Sequence, residues 1–509
     1  MEVAEQKPAG RSAPCEHLDV LIVGAGISGV GAACHLQRSL PEKSYAILEG
    51  RGQMGGTWDL FRYPGIRSDS DMHTLGYRFR PWKEERTIAD GPSILRYIHE
   101  TADEYGVAEK IRYHHRVARA EWSSDASRWT VEAERTDTGE TVRITCGFLY
   151  VCSGYFRYDE GYTPELEGLE RFAGQIIHPQ HWPEDADCAD KRVVVIGSGA
   201  TAVTLVPVLA ERAAQVTMLQ RTPTYIVSLA AEDPLAGALR RVLPDRAVYP
   251  IVRWKNVMLQ TVFYRLCRRR PNLMKRFIRK RVERSLPAGY DVDTHFTPPY
   301  DPWDQRLCLV PDSDLFEAIA GGRAELVTDR IERFTERGIR LQSGGELEAD
   351  VIVTATGLNL LFLGGIELIV DGEPIDTSRS IIYRGMMLNG VPNLAFAVGY
   401  TNASWTLKVD LVSEYVCRLL AHMDAAGYSS CVPELTDASV VEEPLLDFSA
   451  GYVLRSLDRL PKQGSKLPWR LRQNYPLDLA ELRHGRLEDG TMRFARPTTE
   501  AERAEKVAA

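Results

Sequence analysis

Two glycine-rich segments, each set between an apolar run and a helix-like stretch, constrain the fold of this chain more than any other feature. The first follows the apolar run at residues 18–23, and the second follows the run at residues 192–196. Their small residues are Gly24, Gly26 and Gly29 in the first segment and Gly197, Gly199 and Ala202 in the second. An apolar strand, a glycine turn, a helix and a second strand are typical of a Rossmann-like unit. The sequence therefore predicts an α/β fold with two Rossmann-like dinucleotide-binding domains.

The residues at the end of the second predicted strand of each unit carry opposite charges. Glu49 stands 20 residues beyond Gly29, and Arg221 stands 19 residues beyond Ala202. A carboxylate at this position accepts hydrogen bonds from free ribose hydroxyls and repels a 2′-phosphate, whereas a guanidinium binds that phosphate. Thr222 adds a hydroxyl donor beside Arg221. These residues predict FAD in the first unit and NADPH in the second.

Composition narrows the class of protein. The chain has 509 residues, too many for one core, and its net charge of −8 gives no basic footprint for nucleic acid. No pair of its nine cysteines is spaced C-x-x-C, so neither a metal site nor a dithiol motif is predicted. Isolated thiols, a polar N-terminus and the lack of a run of about 20 apolar residues indicate a cytoplasmic protein without a membrane span.

The predicted layout is an FAD domain built from both ends of the chain, with the NADP domain inserted between them. The boundaries are a disordered arm at 1–17, the first FAD part at 18–153, a linker and the first NADP part at 154–227, a helical insertion at 228–297, the second NADP part at 298–379, the second FAD part at 380–497 and a flexible tail at 498–509. Apolar runs at 148–152, 350–355 and 394–398 predict further strands, and residues 404–422 predict a helix.

The insertion is basic, with ten Lys or Arg between Arg265 and Arg284. An apolar stripe recurs every four residues on this stretch, at Met274, Ile278, Val282 and Leu286. We favour a helix whose stripe packs on the NADP domain and whose charges face water. The alternative is a basic helix at 265–286 that lies on an anionic membrane surface.

A second glycine segment follows the first nucleotide unit. Gly56, Thr57 and Trp58 stand ahead of Asp69, and glycine there would let the backbone approach an isoalloxazine ring that Trp58 could flank. Residues 55–69 contain no cysteine, so the chain has no dithiol with which to pass electrons on as a flavin disulfide reductase does. Molecular oxygen is the remaining acceptor that we expect.

Between the nucleotide units lies the pattern F-x-G-x-x-x-H-x-x-x-W-P. Its residues are Phe172, Gly174, His178, Trp182 and Pro183. This pattern resembles the fingerprint of type I Baeyer–Villiger monooxygenases, and with the flanking nucleotide motifs the resemblance covers about residues 18–496. Residues 55–65, 178–183 and 399–405 are most similar to the actinobacterial branch that activates thioamide prodrugs.

The resemblance implies an NADPH- and O2-dependent enzyme that converts ketones to esters or lactones and oxidises sulfides or thioamides through a C4a-peroxyflavin. It implies that Arg306 is the active-site arginine, since a guanidinium stays charged, and that Asp69 orients it. His178 is implied to support domain movement and cofactor handling and not proton transfer. Gln305 stands where many members have a lysine for the 2′-phosphate, which leaves the strictness for NADPH over NADH open.

Two other functions stay open at this stage. One is a flavin-containing monooxygenase restricted to S- or N-oxygenation, and the other is a nucleotide-binding regulator without turnover. We expect the substrate pocket to draw on the insertion, the Arg306 region and residues 402–405. The substrate is expected to be a small ketone or sulfur compound, and neither its identity nor a homo-oligomeric state follows from the sequence.

Overall fold

The computed structural model describes residues 16–446 and 448–497, which form two main sheets flanked by helices. The helices are α1 Ile27–Ser39, α2 Thr57–Leu60, α3 Met72–Leu75, α4 Gly91–Glu104, α5 Ala200–Leu209, α6 Pro234–Arg240, α7 Asp245–Arg269, α8 Pro271–Ser285, α9 Val292–Phe296, α10 Asp314–Ala320, α11 Trp405–Ala426, α12 Gly451–Leu454 and α13 Tyr475–His484. Helix α11 confirms the helix predicted from residue 404 onward.

The strands divide between a mixed nine-stranded sheet, a parallel five-stranded sheet and several small pairings. The nine-stranded sheet contains β1 Glu16–Val23, β2 Tyr45–Leu48, β3 Ile111–Arg112, β4 His115–Ser123, β5 Arg128–Arg135, β6 Thr141–Val151, β19 Glu367–Val370, β20 Glu373–Pro374 and β23 Leu394–Phe396. The five-stranded sheet contains β8 Gln175–Ile177, β9 Arg192–Ile196, β10 Gln215–Gln220, β13 Ala324–Thr328 and β17 Val351–Thr354. One small sheet has three strands, β14 Ile331–Thr335, β15 Gly338–Leu341 and β16 Glu346–Glu348. Two strand pairs involve the middle of the chain: β7 Phe156–Gly161 with β18 Leu358–Leu360, and β11 Ile226–Leu229 with β12 Cys308–Pro311. Three further pairs lie in the C-terminal part: β21 Ile382–Tyr383 with β22 Met387–Leu388, β24 Ser430–Pro433 with β27 Met492–Ala495, and β25 Glu442–Pro444 with β26 Lys462–Gly464.

In the nine-stranded sheet, β1 lies between β6 and β2 and runs parallel to both. The whole of β2 and the last four residues of β1 and of β6 are apolar and buried, because a strand segment covered on both faces has no side exposed to water. Their carboxyl ends meet at one edge, which brings Gly24, Glu49 and Cys152 together. Ligands of open α/β sheets bind at such an edge.

The five-stranded sheet repeats this arrangement with β9 between β10 and β17, all parallel. Helix α5 connects β9 to β10, as the second predicted unit requires. Strands β19 and β20 belong to the nine-stranded sheet, although the sequence places residues 298–379 with the NADP unit. The chain therefore returns to the first sheet before residue 380, because β19 pairs with β4 at the sheet edge. The other predicted domain boundaries stay predictions.

The chain ends differ in part from the expectation. Glu16 and His17, predicted to lie in a disordered arm, begin β1, where the backbone of Glu16 pairs with β6 at Ile144. The rest of that arm, residues 1–15, and the predicted tail at 498–509 lie outside the described residues.

Helices α6 to α9 occupy the predicted insertion. Its basic stretch is not one helix, because α7 ends at Arg269 and α8 begins at Pro271, whose ring lacks the N–H that a continuous helix needs. The four residues of the predicted stripe are buried, and Ile278, Val282 and Leu286 join the core of the five-stranded sheet. The packing interpretation of this stripe is confirmed. Among the described residues, no helix combines the length and apolar character needed to cross a membrane.

Candidate active site

A cavity of about 1240 Å³ lies between the carboxyl edge of the nine-stranded sheet, the start of α5 and the helices of the insertion. Predicted site residues on its wall are Gly24, Gly26, Glu49, Gly56, Thr57, Trp58, Asp69 and Arg306. Residues 402–405 and several side chains of α7 and α8 also line it, as the sequence predicts for the pocket. The volume exceeds that of an ordinary small-molecule pocket, about 300–1,000 Å³. It has room for a dinucleotide and a substrate.

Glycine is required at the three positions of the first turn for different steric reasons. Gly24 has φ +98°, and a Cβ there would lie 2.8 Å from the Cys152 carbonyl oxygen. A Cβ at Gly29 would collide with the Gly24 carbonyl oxygen, so both positions are dictated by the fold itself. Gly26 has an ordinary φ of −79°, and a Cβ there would lie 3.5 Å from the Gly56 Cα. The fold therefore has room for a Cβ at Gly26. We infer that glycine is needed there because a ligand approaches the backbone closely.

Glu49 is held at this edge by the backbone. Its two carboxylate oxygens accept hydrogen bonds from the N–H groups of Ala25 at 2.7 Å and Arg51 at 3.0 Å. Burial raises the pKa of Glu49, and these two hydrogen bonds oppose the shift. Hydroxyl groups of a ribose would supply further donors to this carboxylate, consistent with its predicted role.

The second glycine segment lies against the first. Gly55 N donates to the Ala25 carbonyl oxygen at 3.0 Å, and Gly56 has φ +57° at the start of α2. The Thr57 hydroxyl lies 3.3 Å from the Tyr158 hydroxyl, on the side of the cavity formed by β7. Trp58 is partly buried and lines the cavity beside them. The two glycine-rich turns therefore lie against each other at the cavity wall.

Arg306 and Asp69 meet at the cavity wall. The Arg306 guanidinium donates a hydrogen bond to the Asp69 carboxylate, and both side chains keep 36% of their surface exposed. The carboxylate of Asp69 raises the pKa of Arg306 further above its usual value, against the opposing effect of burial. Arg306 stands two residues before β12, so a strand end sets its position. The site therefore holds a permanent positive charge that faces the cavity.

Two tyrosines that the sequence did not single out flank this charge. Burial raises the pKa of Tyr155 and of Tyr452, and the positive charge of Arg306 lowers both. Tyr155 also stacks on Trp405, with ring centroids 5.1 Å apart, and the Trp405 indole donates to the Ser28 hydroxyl at 2.8 Å. Tyr155 directly follows Ser153 and Gly154 in the loop after β6, a position that could have identified it.

The cavity wall contains buried polar atoms that make no hydrogen bond to another described residue. Within the described residues, several cavity-lining side chains each keep one buried polar atom that makes no hydrogen bond. These atoms are Arg67 Nε, Ser153 Oγ, Gln260 Oε1, Trp303 Nε1 and Asn402 Oδ1. The Asn402 amide is oriented by its Nδ2, which donates to the Gln473 carbonyl oxygen at 2.8 Å. Unpaired buried donors and acceptors are costly, so a bound group with complementary atoms would relieve them.

The second nucleotide turn lies mostly apart from this cavity. A Cβ at Gly197 would collide with the Ala355 carbonyl oxygen, whereas no atom lies within 4 Å of a Cβ at Gly199. Ala202 is fully buried in α5. Arg221 is exposed, and the backbone carbonyl of Thr222 accepts from the Ser198 hydroxyl at 3.0 Å. The open space at Gly199, ahead of the ten-residue helix α5, fits a phosphate at a helix N-terminus.

The linker fingerprint packs outside the cavity wall. A Cβ at Gly174 would lie 2.5 Å from the Phe172 ring and would collide with the Asp350 carbonyl oxygen. Phe172 is buried in one of the two apolar clusters that pack on the five-stranded sheet. Trp182 is partly buried against the other cluster, and Pro183 follows it in the chain. These positions explain the aromatic and glycine residues by packing.

His178 occupies a specific place in this linker. Its ring covers Gly161 at the end of β7, where a Cβ would collide with it. Its Nδ1 accepts from the Gln180 N–H at 3.2 Å, while its Nε2 is buried and makes no hydrogen bond to any described residue. Burial lowers the pKa of His178, and the nearby backbone of Gly357 and Tyr162 opposes the shift. A neutral imidazole outside the cavity fits a supporting role.

The thiols of the described chain are isolated. All eight cysteines described are free and buried, and Cys152 is the one that lines the cavity. Burial raises the pKa of Cys152, so its thiol stays protonated. The cavity wall, as far as it is described, has no second thiol with which to form a redox pair.

Comparison with known proteins identifies the relatives of this chain. The family described as "Flavin-binding monooxygenase-like" matches residues 84–386, and the family described as "NAD(P)-binding Rossmann-like domain" matches residues 22–83. The chain is 58% identical over 482 residues to the FAD-containing monooxygenase EthA of Mycobacterium tuberculosis (strain CDC 1551 / Oshkosh), across 94% of this chain and 98% of that protein. It is 54% identical over 482 residues to the EthA protein of Mycolicibacterium smegmatis, with the same coverage.

Solved structures share the fold. An oxidized steroid monooxygenase bound to NADP matches with a TM-score of 0.75 at 23% identity, over 94% of this chain and all of that one. A cyclohexanone monooxygenase from Rhodococcus sp. Phi1 bound to NADP+ matches with a TM-score of 0.73 at 20% identity, over 95% of this chain and all of that one. The two predicted nucleotide units therefore belong to a fold that these solved structures share.

Proposed function

The chain belongs to the flavin-binding monooxygenase-like family, and from that premise we propose that it is an NADPH- and O2-dependent FAD monooxygenase of the Baeyer–Villiger type. Its substrates would be small ketones, oxidised to esters or lactones, and sulfur centres such as sulfides or thioamides. The observation that carries this proposal is the Arg306–Asp69 pair, which keeps a permanent cation at the wall of a large cavity.

FAD fits the first nucleotide site. Gly24, Gly26 and Gly29 would admit its pyrophosphate, Glu49 would bind its ribose, and the floor at Gly56, Thr57 and Trp58 would lie along its ring system. When bound and reduced, the flavin supplies the electrons that activate oxygen. Ser153 Oγ and Asn402 Oδ1 are candidate partners for the polar atoms of the cofactor, because both are buried in the wall without one.

Arg306 would stabilise negative charge that develops on oxygen inside the cavity. A guanidinium suits this task because it does not lose its proton and offers several donors to one anion. Asp69 holds one edge of the guanidinium and so fixes its direction. Burial raises the pKa of Tyr155 and of Tyr452, so both stay protonated beside Arg306, and Tyr155, which lines the cavity, would donate to the same anion.

NADPH would bind at the second turn. The open position at Gly199 would receive the pyrophosphate at the start of α5, and Arg221 with Thr222 would bind the 2′-phosphate. Helix α5 also presents Ala200, Thr201 and Thr204 to the main cavity. One helix would thereby connect the two cofactor sites. His178 and Trp182 would support this connection from the linker.

The state of the cysteines supports oxygen as the electron acceptor. A disulfide reductase needs two thiols at the flavin, and the described cavity wall has only Cys152. Free buried thiols and the need for NADPH lead us to place the enzyme in the cytoplasm.

The test is product analysis under ¹⁸O2 with a ketone and a sulfide, each with NADPH in excess. We expect one ¹⁸O atom in the ester and in the sulfoxide, with one NADPH consumed per product. Ester formation is the deciding result, because a monooxygenase restricted to sulfur or nitrogen would oxidise the sulfide and leave the ketone unchanged. NADPH consumption without labelled product from either compound would contradict the proposal.

A further inference from the structure

The helical insertion exposes far more apolar surface than the rest of the described chain. Twelve of the seventeen large apolar side chains that are exposed in the described residues lie between Leu229 and Phe277. Eight of them form what we name the α7–α8 apolar face: Ile251, Trp254, Met258, Leu259, Val262 and Leu266 on α7, with Leu273 and Phe277 on α8. Folded proteins rarely leave so large a contiguous apolar patch in water unless it contacts something.

Helix α7 has a buried inner side and an apolar outer side. Tyr249, Val252 and Arg253 are buried on its inner side, at positions i, i+3 and i+4. The exposed residues recur every three or four positions on the outer side, from Ile251 to Leu266. The outer side of a surface helix normally carries charged and polar residues. The inner side accounts for the fold, so the outer side requires a separate occupant.

The α7–α8 apolar face has a strongly cationic border. Residues 241–286 contain fourteen Lys or Arg against Asp245 and Glu283, in a chain whose net charge is −8. Several of these cations are exposed and make no ion pair within the described part of the chain: Arg246, Arg265, Arg269, Arg270, Arg276, Lys280 and Arg284. An apolar face between unpaired cations matches a surface with an apolar interior and anionic headgroups.

The α7–α8 apolar face also borders the main cavity, through Leu259 and Phe277. Leu229, Leu259 and Phe277 are exposed to solvent and at the same time line the cavity. Arg281, exposed on α8, lines it as well. An apolar compound leaving a lipid layer at this face would therefore meet the cavity without crossing water.

We propose that the α7–α8 apolar face docks on an anionic lipid surface, with the cavity opening turned toward the lipid. This face is distinct from the buried stripe at Met274, Ile278 and Val282. A second copy of the chain fits less well, because a symmetric contact would bring the two cationic borders together. The inference concerns the outer surface and goes beyond the proposed reaction, so its test uses binding and not turnover.

The test is flotation of the purified, flavin-loaded enzyme with vesicles of phosphatidylcholine and phosphatidylglycerol in equal parts, at low ionic strength. We expect the enzyme to float with these vesicles, to remain in solution with phosphatidylcholine alone and to be released by high salt. The double variant Met258→Ser, Val262→Ser should bind about tenfold more weakly, since burial of such side chains contributes most of the apolar attraction. Neither residue lines the cavity, so NADPH oxidation with a soluble substrate should not change.

The matched control is Val441→Ser, the same substitution as Val262→Ser at a valine that is also exposed, 65% against 48%, but lies outside the α7–α8 apolar face. It should bind vesicles as the wild type does. The proposal is overturned if the wild type does not float with anionic vesicles, or if the double variant floats equally well. It is also overturned if light scattering shows that the double substitution converts a dimer to a monomer while vesicle binding is absent, because the occupant is then a second copy.

Discussion

The Arg306 guanidinium donates a hydrogen bond to the Asp69 carboxylate across a separation of 237 residues. Asp69 lies between α2 and α3 in the first nucleotide unit, and Arg306 stands two residues before β12 in the second. The pair therefore links the two nucleotide units at the cavity. A relative movement of the units would change the direction in which the positive charge points.

Replacement of Arg306 with alanine should separate NADPH oxidation from oxygen transfer. Loss of the cation removes the charge that stabilises a developing anion, so product formation should fall by about 100-fold or more. Hydrogen peroxide should account for the NADPH consumed. Product and peroxide are measured together by chromatography and a peroxidase assay. Product formation at the wild-type rate would contradict the assigned role, and Arg306→Lys should retain part of the activity.

Asp69→Asn should act through Arg306 and not through binding of the nucleotide. The amide is isosteric with the carboxylate but loses the charge that orients the guanidinium, so kcat should fall by about 10- to 100-fold. The KM for NADPH should stay nearly constant. A combined Asp69→Asn, Arg306→Ala variant should be no worse than Arg306→Ala alone. Additive losses in steady-state kinetics would show that the two side chains act independently.

Gly26→Ala and Gly174→Ala should fail in different ways. At Gly26 the fold accepts a Cβ, so flavin content should drop sharply while the flavin-free variant unfolds near the temperature of the flavin-free wild type. At Gly174 a Cβ meets the Phe172 ring and the Asp350 carbonyl oxygen, so stability should fall by about 1–3 kcal/mol. Flavin absorbance and thermal unfolding separate the two effects. Full flavin content in Gly26→Ala would contradict the assigned cofactor site.

Arg221→Ala should weaken NADPH binding more than NADH binding. Arg221 is exposed and free to meet a 2′-phosphate, a charge-assisted contact whose loss should raise the KM for NADPH about tenfold or more. The KM for NADH should change less than twofold, because NADH has no such phosphate. Steady-state kinetics with both coenzymes measure the ratio. Arg221→Lys serves as the control, and equal effects on the two coenzymes would refute the role.

His178 should make the linker sensitive to acid. Burial lowers the pKa of His178 below its ordinary value of 6.5, so the imidazole is neutral in the folded protein. As the pH falls below about 6.5, the unfolded chain gains a proton there before the folded chain does, and stability declines. His178→Gln should reduce the loss of Tm between pH 7.5 and pH 5.5. His181→Gln, at the exposed neighbouring histidine, should leave that loss unchanged.

Much of the fold could be predicted because its signals are local. The glycine turns, the closing residues Glu49 and Arg221 and the helix that begins at Trp405 follow from steric and periodic patterns within about thirty residues. The start of β1 and the return of β19 to the first sheet could not be predicted in this way, since both depend on pairing with distant strands. Tyr155 and Tyr452 were missed because their neighbour Arg306 is distant in sequence.

The sequence by itself determined that the chain has two dinucleotide units and that no cysteine pair accompanies the first. It also determined the charge of the residue at the end of the second strand in each unit. These properties depend on side-chain type and on short spacings, both of which can be read directly from the linear sequence. Only the tertiary structure decided that Asp69 meets Arg306 and that His178 packs behind the cavity wall. It also decided that the stripe at Ile278 is buried while α7 exposes a second apolar side. The physical reason is that periodicity identifies an apolar face, but only the packing of every other element determines whether that face meets protein or solvent.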